Sequence, residues 1–332
     1  MSGGTRELRA AGGPDAALSS ADRLPVFVLT GPTGAGKTQW ALRVAQSAPV
    51  EIVSVDSALV YRGLDIGTAK PSVELRTRTP HHLIDICEPT ESYSAGRFVA
   101  DALASIREIH ARRRVPLLVG GTMLYLRALL HGLAVLPQAT PELRAQLDAR
   151  AARLGWPALH EELRSLDPAA AARIAPNDRQ RIQRALEVCY SAGRPISHLQ
   201  RDTISPLADW PLRYWILAPR ERKLLHERVE RRFAGMMDAG FLEEVASLKA
   251  RGDLSAGHPS MRAVGYRQLW AHLEGAYGIE EAVQRAVAAT RQLAKRQLTW
   301  MRSEGLGQWI DPDEPKLSWN EDITQELVRL GL

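Results

Sequence analysis

Eight residues near the start of the chain leave few architectures open. They read GPTGAGKT, residues 31–38, and satisfy the phosphate-loop pattern G-x-x-x-x-G-K-[ST]. That pattern has meaning only between a strand and a helix, and both flanks comply. Leu24–Thr30, LPVFVLT, is a short apolar run rich in β-branched and aromatic residues, whereas QWALRVAQ beyond the loop has helical spacing and good helix formers. In such a loop Gly31, Gly34 and Gly36 let the backbone wrap a phosphate, with Pro32, Thr33 and Ala35 completing the turn. The helix N-terminus adds positive potential, Lys37 supplies a mobile cation, and Thr38 is placed to ligate Mg2+.

The rest of the chain extends this start into an α/β domain. Val50–Val55 reads as a second buried strand ending at Asp56, HLIDI at 82–86 as a third, and VPLLVGGT at 115–122 as a fourth that ends in a glycine pair, with a helix over Ala95–Ala111 between the last two. Strands alternating with helices imply a parallel sheet whose working groups lie at the strand C-termini. Composition shifts near Gly132, and from Thr140 to about Gln200 the sequence is rich in Ala, Leu, Arg and Glu with helical periodicity and no strand pattern. The sheet pattern returns at YWILA, 214–218, followed by helices over about Arg220–Ala250 and Ala282–Arg302 and a short strand near GQWID, 307–311. The expected architecture is a P-loop NTPase-like parallel sheet flanked by helices, formed by 23–131 and 208–332, with an all-helical insertion domain at 132–207.

Residues 1–22 lack the apolar block of a secretory signal and read as a disordered tail. No run of apolar residues is long enough to span a bilayer, so no membrane association is expected. Cys87 and Cys189 lie far apart and fit neither a disulfide framework nor a metal spacing, which suits a reducing, cytoplasmic setting. The net charge of +5 and pI near 9.4 lean toward an anionic partner. Distribution says more than the total: Ala282–Ser303 carries Arg285, Arg291, Lys295, Arg296 and Arg302 with no acid, and Arg179, Arg181 and Arg184 form a second cluster. Arg291, Lys295 and Arg302 are spaced to share one helix face, a stripe suited to a phosphate backbone.

A phosphate loop does not reveal which molecule carries the phosphate, and a small-molecule kinase or an NTPase is the ordinary reading. Nucleotide-hydrolysing relatives usually end a core strand in an acid that helps hold Mg2+. Here the best strand ends in Gly120, Gly121 and Thr122, and the acid, Asp56, follows the second strand instead.

GPTGAGKT, SVDSALVYRGLDIGTAKP, LLVGGTMLYLRALL, NDRQRIQRALE, RAVGYRQLW and ATRQLAKRQLTWMR, in that order over roughly 24–310, resemble the bacterial tRNA dimethylallyltransferases. The resemblance implies transfer of a dimethylallyl group from dimethylallyl diphosphate, with Mg2+, to N6 of the adenine at tRNA position 37, just 3′ of the anticodon, in tRNAs reading codons that begin with U. Nothing in the sequence suggests an obligate assembly, so a monomer with no obligate protein partner is expected, although the oligomeric state stays open. No Cys/His pattern follows Trp300, so a zinc-free protein of the bacterial type is expected.

By the same resemblance Asp56 is the general base, a role worth roughly 10²–10⁴-fold in rate. The backbone of 33–38, Lys37, Mg2+ at Thr38 and Arg232 of HERVERRF would stabilise the diphosphate leaving group, with Thr122 hydrogen-bonding near the amine or the diphosphate. The anticodon stem-loop would meet Asp56, Ser57, Ala58 and Leu59 around the base, and Gln180, Arg181, Ile182, Gln183 and Arg184 on the insertion. Further contacts fall on Arg262, Ala263, Val264, Gly265, Tyr266 and Arg267, and on Lys295, Arg296, Gln297, Leu298, Thr299, Trp300, Met301 and Arg302. Tyr266 and Trp300 are the residues expected to stack on bases. Two other classes stay open on the residues alone: a P-loop phosphotransferase acting on a small metabolite, and an RNA-binding protein that keeps a relic phosphate loop.

Overall fold

The computed structural model describes residues 24–199, 203–314 and 327, so the tail expected at 1–22 lies outside the described residues. The first apolar run forms strand β1, Val26–Thr30, every residue of it buried. The phosphate loop then leads into helix α1, Lys37–Ser47, and β2 comes next at Val50–Val55, also buried throughout. Strands covered on both faces read as mainly apolar runs, and this pattern marks both, although β2 also buries Glu51, which pairs with Arg112, Arg114 and His82, and Ser54.

A short α2, Val73–Arg78, precedes β3, which is only His81–His82. The strand expected over 82–86 is therefore corrected. Leu83 and Asp85 adopt positive φ angles of 63° and 57°, which a strand cannot accommodate. The Asp85 carboxylate takes Arg76 at 2.8 Å and also Lys70, so this apparent strand end is instead the anchor of a loop. Helix α3, Ala95–Ala111, is capped by Ser94 and buries Phe98, Ala102, Ile106 and Ile109, one stripe at helical spacing. Each such burial removes apolar area from water and contributes roughly 1.5–3 kcal/mol for a large side chain. β4, Val115–Gly120, leads into α4, Met123–His131, whose Tyr125 stacks on Phe98 with ring centroids 4.2 Å apart.

The described chain divides into two compact units, one made of residues up to Leu129 and from Leu207 onward, the other of Leu130–Pro206. The second unit is all helical: α5 Pro141–Leu154, α6 Trp156–Leu166, α7 Pro168–Ala171, α8 Arg179–Ala192 and α9 Ile196–Leu199. Its own core joins Leu147, Leu159, Leu163, Ile182 and Leu186. Asp167, 1% exposed, caps α7 by accepting from the Ala170 N–H and ties α9 to it by accepting from the Ser197 N–H and hydroxyl.

The first unit resumes with β5, Leu212–Leu217, helices α10, Arg222–Asp238, and α11, Phe241–Ala250, a single 3₁₀ turn at Ser260–Arg262, α12, Tyr266–Leu273, α13, Ile279–Glu304, and finally β6, Gln308–Ile310. The six strands form one parallel sheet in the order β3-β2-β4-β1-β5-β6. The register of the three central strands decides which residues emerge together. Gly120 pairs with Thr30 on one side and Val55 on the other, so β1, β4 and β2 end level and release the phosphate loop, Thr122 and Asp56 at one edge. No described helix is long and apolar enough to cross a membrane.

Candidate functional site

The phosphate loop is held by more than its glycines. Gly36 takes the left-handed conformation, φ 89°, immediately before α1. Lys37 Nζ donates to the carbonyls of Gly31 and Pro32 at 3.0 and 2.9 Å. The Thr33 N–H is already engaged, because it donates to Gln297 Oε1 on α13 at 2.9 Å, while Gln297 Nε2 donates to the Gly121 carbonyl at 2.7 Å. One buried amide thus staples the phosphate loop to the end of β4. That corrects two expectations at once: Gln297 is an internal brace rather than an RNA contact, and Thr33 offers no backbone donor to a phosphate. The Ala35 N–H bonds the Pro32 carbonyl, and Pro32 has none, so the donors without a backbone partner among the described residues around the start of α1 include those of Gly34, Gly36, Lys37 and Thr38.

Asp56 directly succeeds β2. Its Oδ1 accepts from the Ala58 N–H at 2.8 Å and more weakly from the Leu59 N–H at 3.4 Å, closing a tight turn that leaves Oδ2 free of hydrogen bonds to the described residues. Thr122 is locked beside this turn: its N–H donates to the Val55 carbonyl at 3.2 Å, and its Oγ1 accepts from the Ser57 N–H at 3.0 Å. Gly120 makes the approach possible, since a Cβ there would lie 2.1 Å from the Val55 carbonyl oxygen and would push β4 off β2. The glycine pair that replaces the expected acid is therefore what lets Thr122 reach the Asp56 turn.

Electrostatics joins three elements. Burial pushes the Lys37 ammonium down to about 8; the nearby Arg232 charge adds to the shift and Asp56 opposes it. Arg232, on α10, is also lowered by desolvation and supported by Asp56, although one flank of its side chain remains exposed. Its Nη2 donates to the Thr68 carbonyl at 3.3 Å. Two cations and one carboxylate from the first loop, α10 and the end of β2 converge on one edge of the sheet, an arrangement able to hold a dianionic group beside a proton acceptor.

A metal ion would find a modest donor set. Among the described residues no group of three or more His, Cys, Asp or Glu is placed to hold one. Mg2+ needs no such cage, because it keeps waters and substrate oxygens and takes one or two protein ligands. The Thr38 hydroxyl, exposed in the first turn of α1, fits that requirement.

The residues expected to meet RNA divide by exposure. Ser57 is exposed, and Ala58 and Leu59 are half-buried. In the helical unit, Gln180 and Arg181 are exposed at the start of α8 and Gln183 is partly so. Arg184 bonds the Pro137 carbonyl at 3.2 Å and Glu187 at 3.3 Å, and Ile182 is fully buried, so Ile182 is core rather than contact. Arg262 and Arg267 are exposed, with Ala263 and Val264 half-buried. Gly265 is buried and Tyr266 is 0% exposed; the ring of Tyr266 packs edge-on against Phe241 at 4.9 Å and its hydroxyl donates to Glu244 at 2.5 Å. Tyr266 is therefore no stacking platform. Sequence could not separate the two roles, because a base-stacking tyrosine and a buried one have the same local pattern.

α13 has two faces. Lys295, Arg296, Thr299 and Arg302 point outward, Trp300 is half-buried, and Leu298 and Met301 join Gln297 inside. Arg291 pairs with Glu230 at 2.5 Å. Between α10 and α13 runs a groove of about 370 Å³ in which Arg222, His226, Lys295 and Arg302 stand over a floor that includes Leu225 and Leu298.

Residues 59–304 match the protein family described as IPP transferase. The tRNA dimethylallyltransferase of Alkalilimnicola ehrlichii is 56% identical over 293 residues, covering 88% of this chain and 92% of that protein. Among solved structures, the full-length tRNA isopentenylpyrophosphate transferase of Bacillus halodurans is 36% identical with a TM-score of 0.67, over 93% of this chain and 97% of its own. A eukaryotic dimethylallyltransferase described as acting on tRNA has a TM-score of 0.74 at 26% identity, over 92% of this chain and 78% of its own.

Proposed function

Because the chain belongs to the IPP transferase family, we propose that it is a tRNA dimethylallyltransferase, moving the dimethylallyl group of dimethylallyl diphosphate onto N6 of the adenine at position 37 of tRNAs that read codons beginning with U. The observation that carries this reading is the edge where β1, β4 and β2 end level. There Lys37 lies beside Asp56, whose Oδ2 the turn through Oδ1 leaves unbonded among the described residues, and Arg232 of α10 comes within electrostatic reach of both.

Each of those groups has a part in the chemistry. The N–H groups of Gly34, Gly36, Lys37 and Thr38, the Lys37 ammonium and the Arg232 guanidinium bind the diphosphate and stabilise the negative charge that grows on it as the allylic C–O bond breaks. Bound at the Thr38 hydroxyl, Mg2+ would supply further neutralisation of that charge. An exocyclic adenine amine is a weak nucleophile because its lone pair is delocalised into the ring; Asp56 Oδ2 takes the N6 proton as the C–N bond forms. Thr122 holds the Asp56 turn through the Ser57 N–H. The adenine leaves its stack to reach this edge, at a cost of a few kcal/mol, and the outward basic residues of α13 offset that cost through the RNA backbone. The reading makes the protein a cytoplasmic monomer that needs no protein partner.

A phosphotransferase reading would call for an acid at the end of β4, where Gly120, Gly121 and Thr122 stand. Incubation of the purified protein with labelled dimethylallyl diphosphate, Mg2+ and unmodified tRNA should transfer the label to tRNA. An unlabelled tRNA alongside ATP turnover with a small acceptor would replace this reading with the kinase, and tRNA binding without transfer would leave an RNA-binding protein.

A further inference from the structure

Glu244, on the first turn of α11, belongs to none of the motifs that mark the site, yet its carboxylate accepts four hydrogen bonds. Oε2 takes the N–H groups of Asp65 and Ile66 at 2.9 and 2.6 Å; Oε1 takes the Gly67 N–H at 3.2 Å and the Tyr266 hydroxyl at 2.5 Å. Three successive backbone donors closing on one carboxylate fix the path of the chain through 65–67 as an anion nest does. The next residue is Thr68, whose carbonyl accepts from Arg232. We propose that Glu244 is a positioning residue for the diphosphate site: by shaping the 65–67 turn it aims the Thr68 carbonyl at Arg232 and so fixes where that guanidinium meets the leaving group. The proposal rests on the prenyl-transfer reading for the identity of the ligand, not for the geometry.

Three further contacts confine the same loop. The Thr68 hydroxyl donates to the Leu64 carbonyl at 2.6 Å, and Lys70 Nζ donates to the Tyr61 carbonyl at 2.8 Å and pairs with Asp65 at 2.6 Å. Beneath it, Gly67 lies so close to the Phe241 and Tyr266 rings that a Cβ would stand 2.1 and 2.6 Å from them. The loop therefore cannot move toward α11 and α12, and the Glu244 carboxylate stops it from lifting away. This restraint matters because Arg232 is held in the range of another cation, Lys37. Repulsion favours swinging the guanidinium aside, and its hydrogen bond to the Thr68 carbonyl opposes that swing.

Glu244→Gln keeps the shape of the side chain but turns one of the two acceptor oxygens into a donor that faces other donors. The effect should be read on inorganic diphosphate binding by calorimetry and on kcat/KM for dimethylallyl diphosphate. Both should worsen about tenfold, the consequence of a lost acceptor in a polar network, while tRNA Kd changes less than about twofold. Tyr266→Phe removes one of the four donors and should move the same two quantities in the same direction, by less. The deciding arm is the Arg232→Ala background, where Glu244→Gln should change diphosphate affinity less than about twofold, because the group it positions is gone. Equal losses in both backgrounds, or a drop in melting temperature with diphosphate affinity intact, would make Glu244 a purely structural residue and overturn the proposal. A wild-type protein that binds diphosphate through this network but never labels tRNA would remove the prenyl-transfer reading while supporting Glu244 as the positioning residue.

Discussion

Lys37 and Asp56 do opposite electrostatic work a short distance apart, and each yields a separable test. Burial and Arg232 bring the Lys37 pKa from 10.5 down to about 8. A lowered amine pKa means the cation is present below that value and lost above it, so the protein without substrate should lose its diphosphate-binding charge as pH rises through about 8. The kcat/KM for dimethylallyl diphosphate should therefore fall on the alkaline side with an apparent pKa near 8. In kcat the same limb should move to higher pH, because bound diphosphate favours the charged amine. A kcat/KM profile that stays level well beyond pH 8 would show that Lys37 keeps its proton by other means. At Asp56 the substitution to Asn retains an oxygen that can accept the Ala58 and Leu59 N–H groups, so the turn should persist. What disappears is the basic Oδ2. Asp56→Asn should slow single-turnover transfer by roughly 10²–10⁴-fold with tRNA and diphosphate affinity nearly unchanged, and an unaltered single-turnover rate would take the proton-accepting role away from Asp56.

At the scale of elements, the sequence was most legible where one element does one job. β1 and β4 are buried on both faces and announce themselves as apolar runs, β2 does so apart from Glu51 and Ser54, and the phosphate loop announces itself by glycine spacing. Legibility failed where one element does two. The run of α13 from Lys295 to Arg302 reads as a single basic motif, yet the helix turns Gln297, Leu298 and Met301 inward to brace and pack while Lys295, Arg296 and Arg302 face out. Helical phase, applied to Arg291, Lys295 and Arg302, finds Lys295 and Arg302 facing out but also counts Arg291, which is half-buried and paired with Glu230, and it cannot reveal that Gln297 reaches across to Thr33, a contact spanning most of the chain. The strand expected over 82–86 failed for another reason: HLIDI reads locally as a strand, but Lys70 and Arg76 draw Asp85 into a loop with left-handed backbone. For the outward face of α13 a direct test exists. Lys295→Ala should weaken tRNA binding and reduce the slope of log K against log salt by about one, as expected for one phosphate contact. A slope that does not change would mean this face is merely solvated.

Over the whole molecule, the division into two compact units limits what a disturbance in one can do to the other. The groups proposed to hold the diphosphate, Lys37, Thr38 and Arg232, belong to the α/β unit, while Leu130–Pro206 has its own core and its own polar hub in Asp167. Burial opposes ionisation of Asp167, but the hydrogen bonds from Ser197 and Ala170 prevail and hold its pKa below the usual carboxylate value. A depressed carboxylate pKa adds stability that is present above the unfolded value and lost as pH falls through the folded one, so acid should loosen the helical unit through this residue below about pH 4. Asp167→Asn imitates that loss at neutral pH, since the new amide must point its N–H groups at one of two backbone donors, the Ser197 N–H or the Ala170 N–H. A buried acceptor lost in this way costs about 1–3 kcal/mol. Calorimetry should then resolve an earlier transition for the helical unit, while inorganic diphosphate still binds the α/β unit with unchanged affinity. Binding of tRNA should weaken if Gln180 and Arg181, at the start of α8 in the unit that has loosened, are the proposed RNA contacts. If a single transition simply moved down and diphosphate binding fell with it, the two units would unfold as one cooperative body and Asp167 would not act as a local hub of the helical unit.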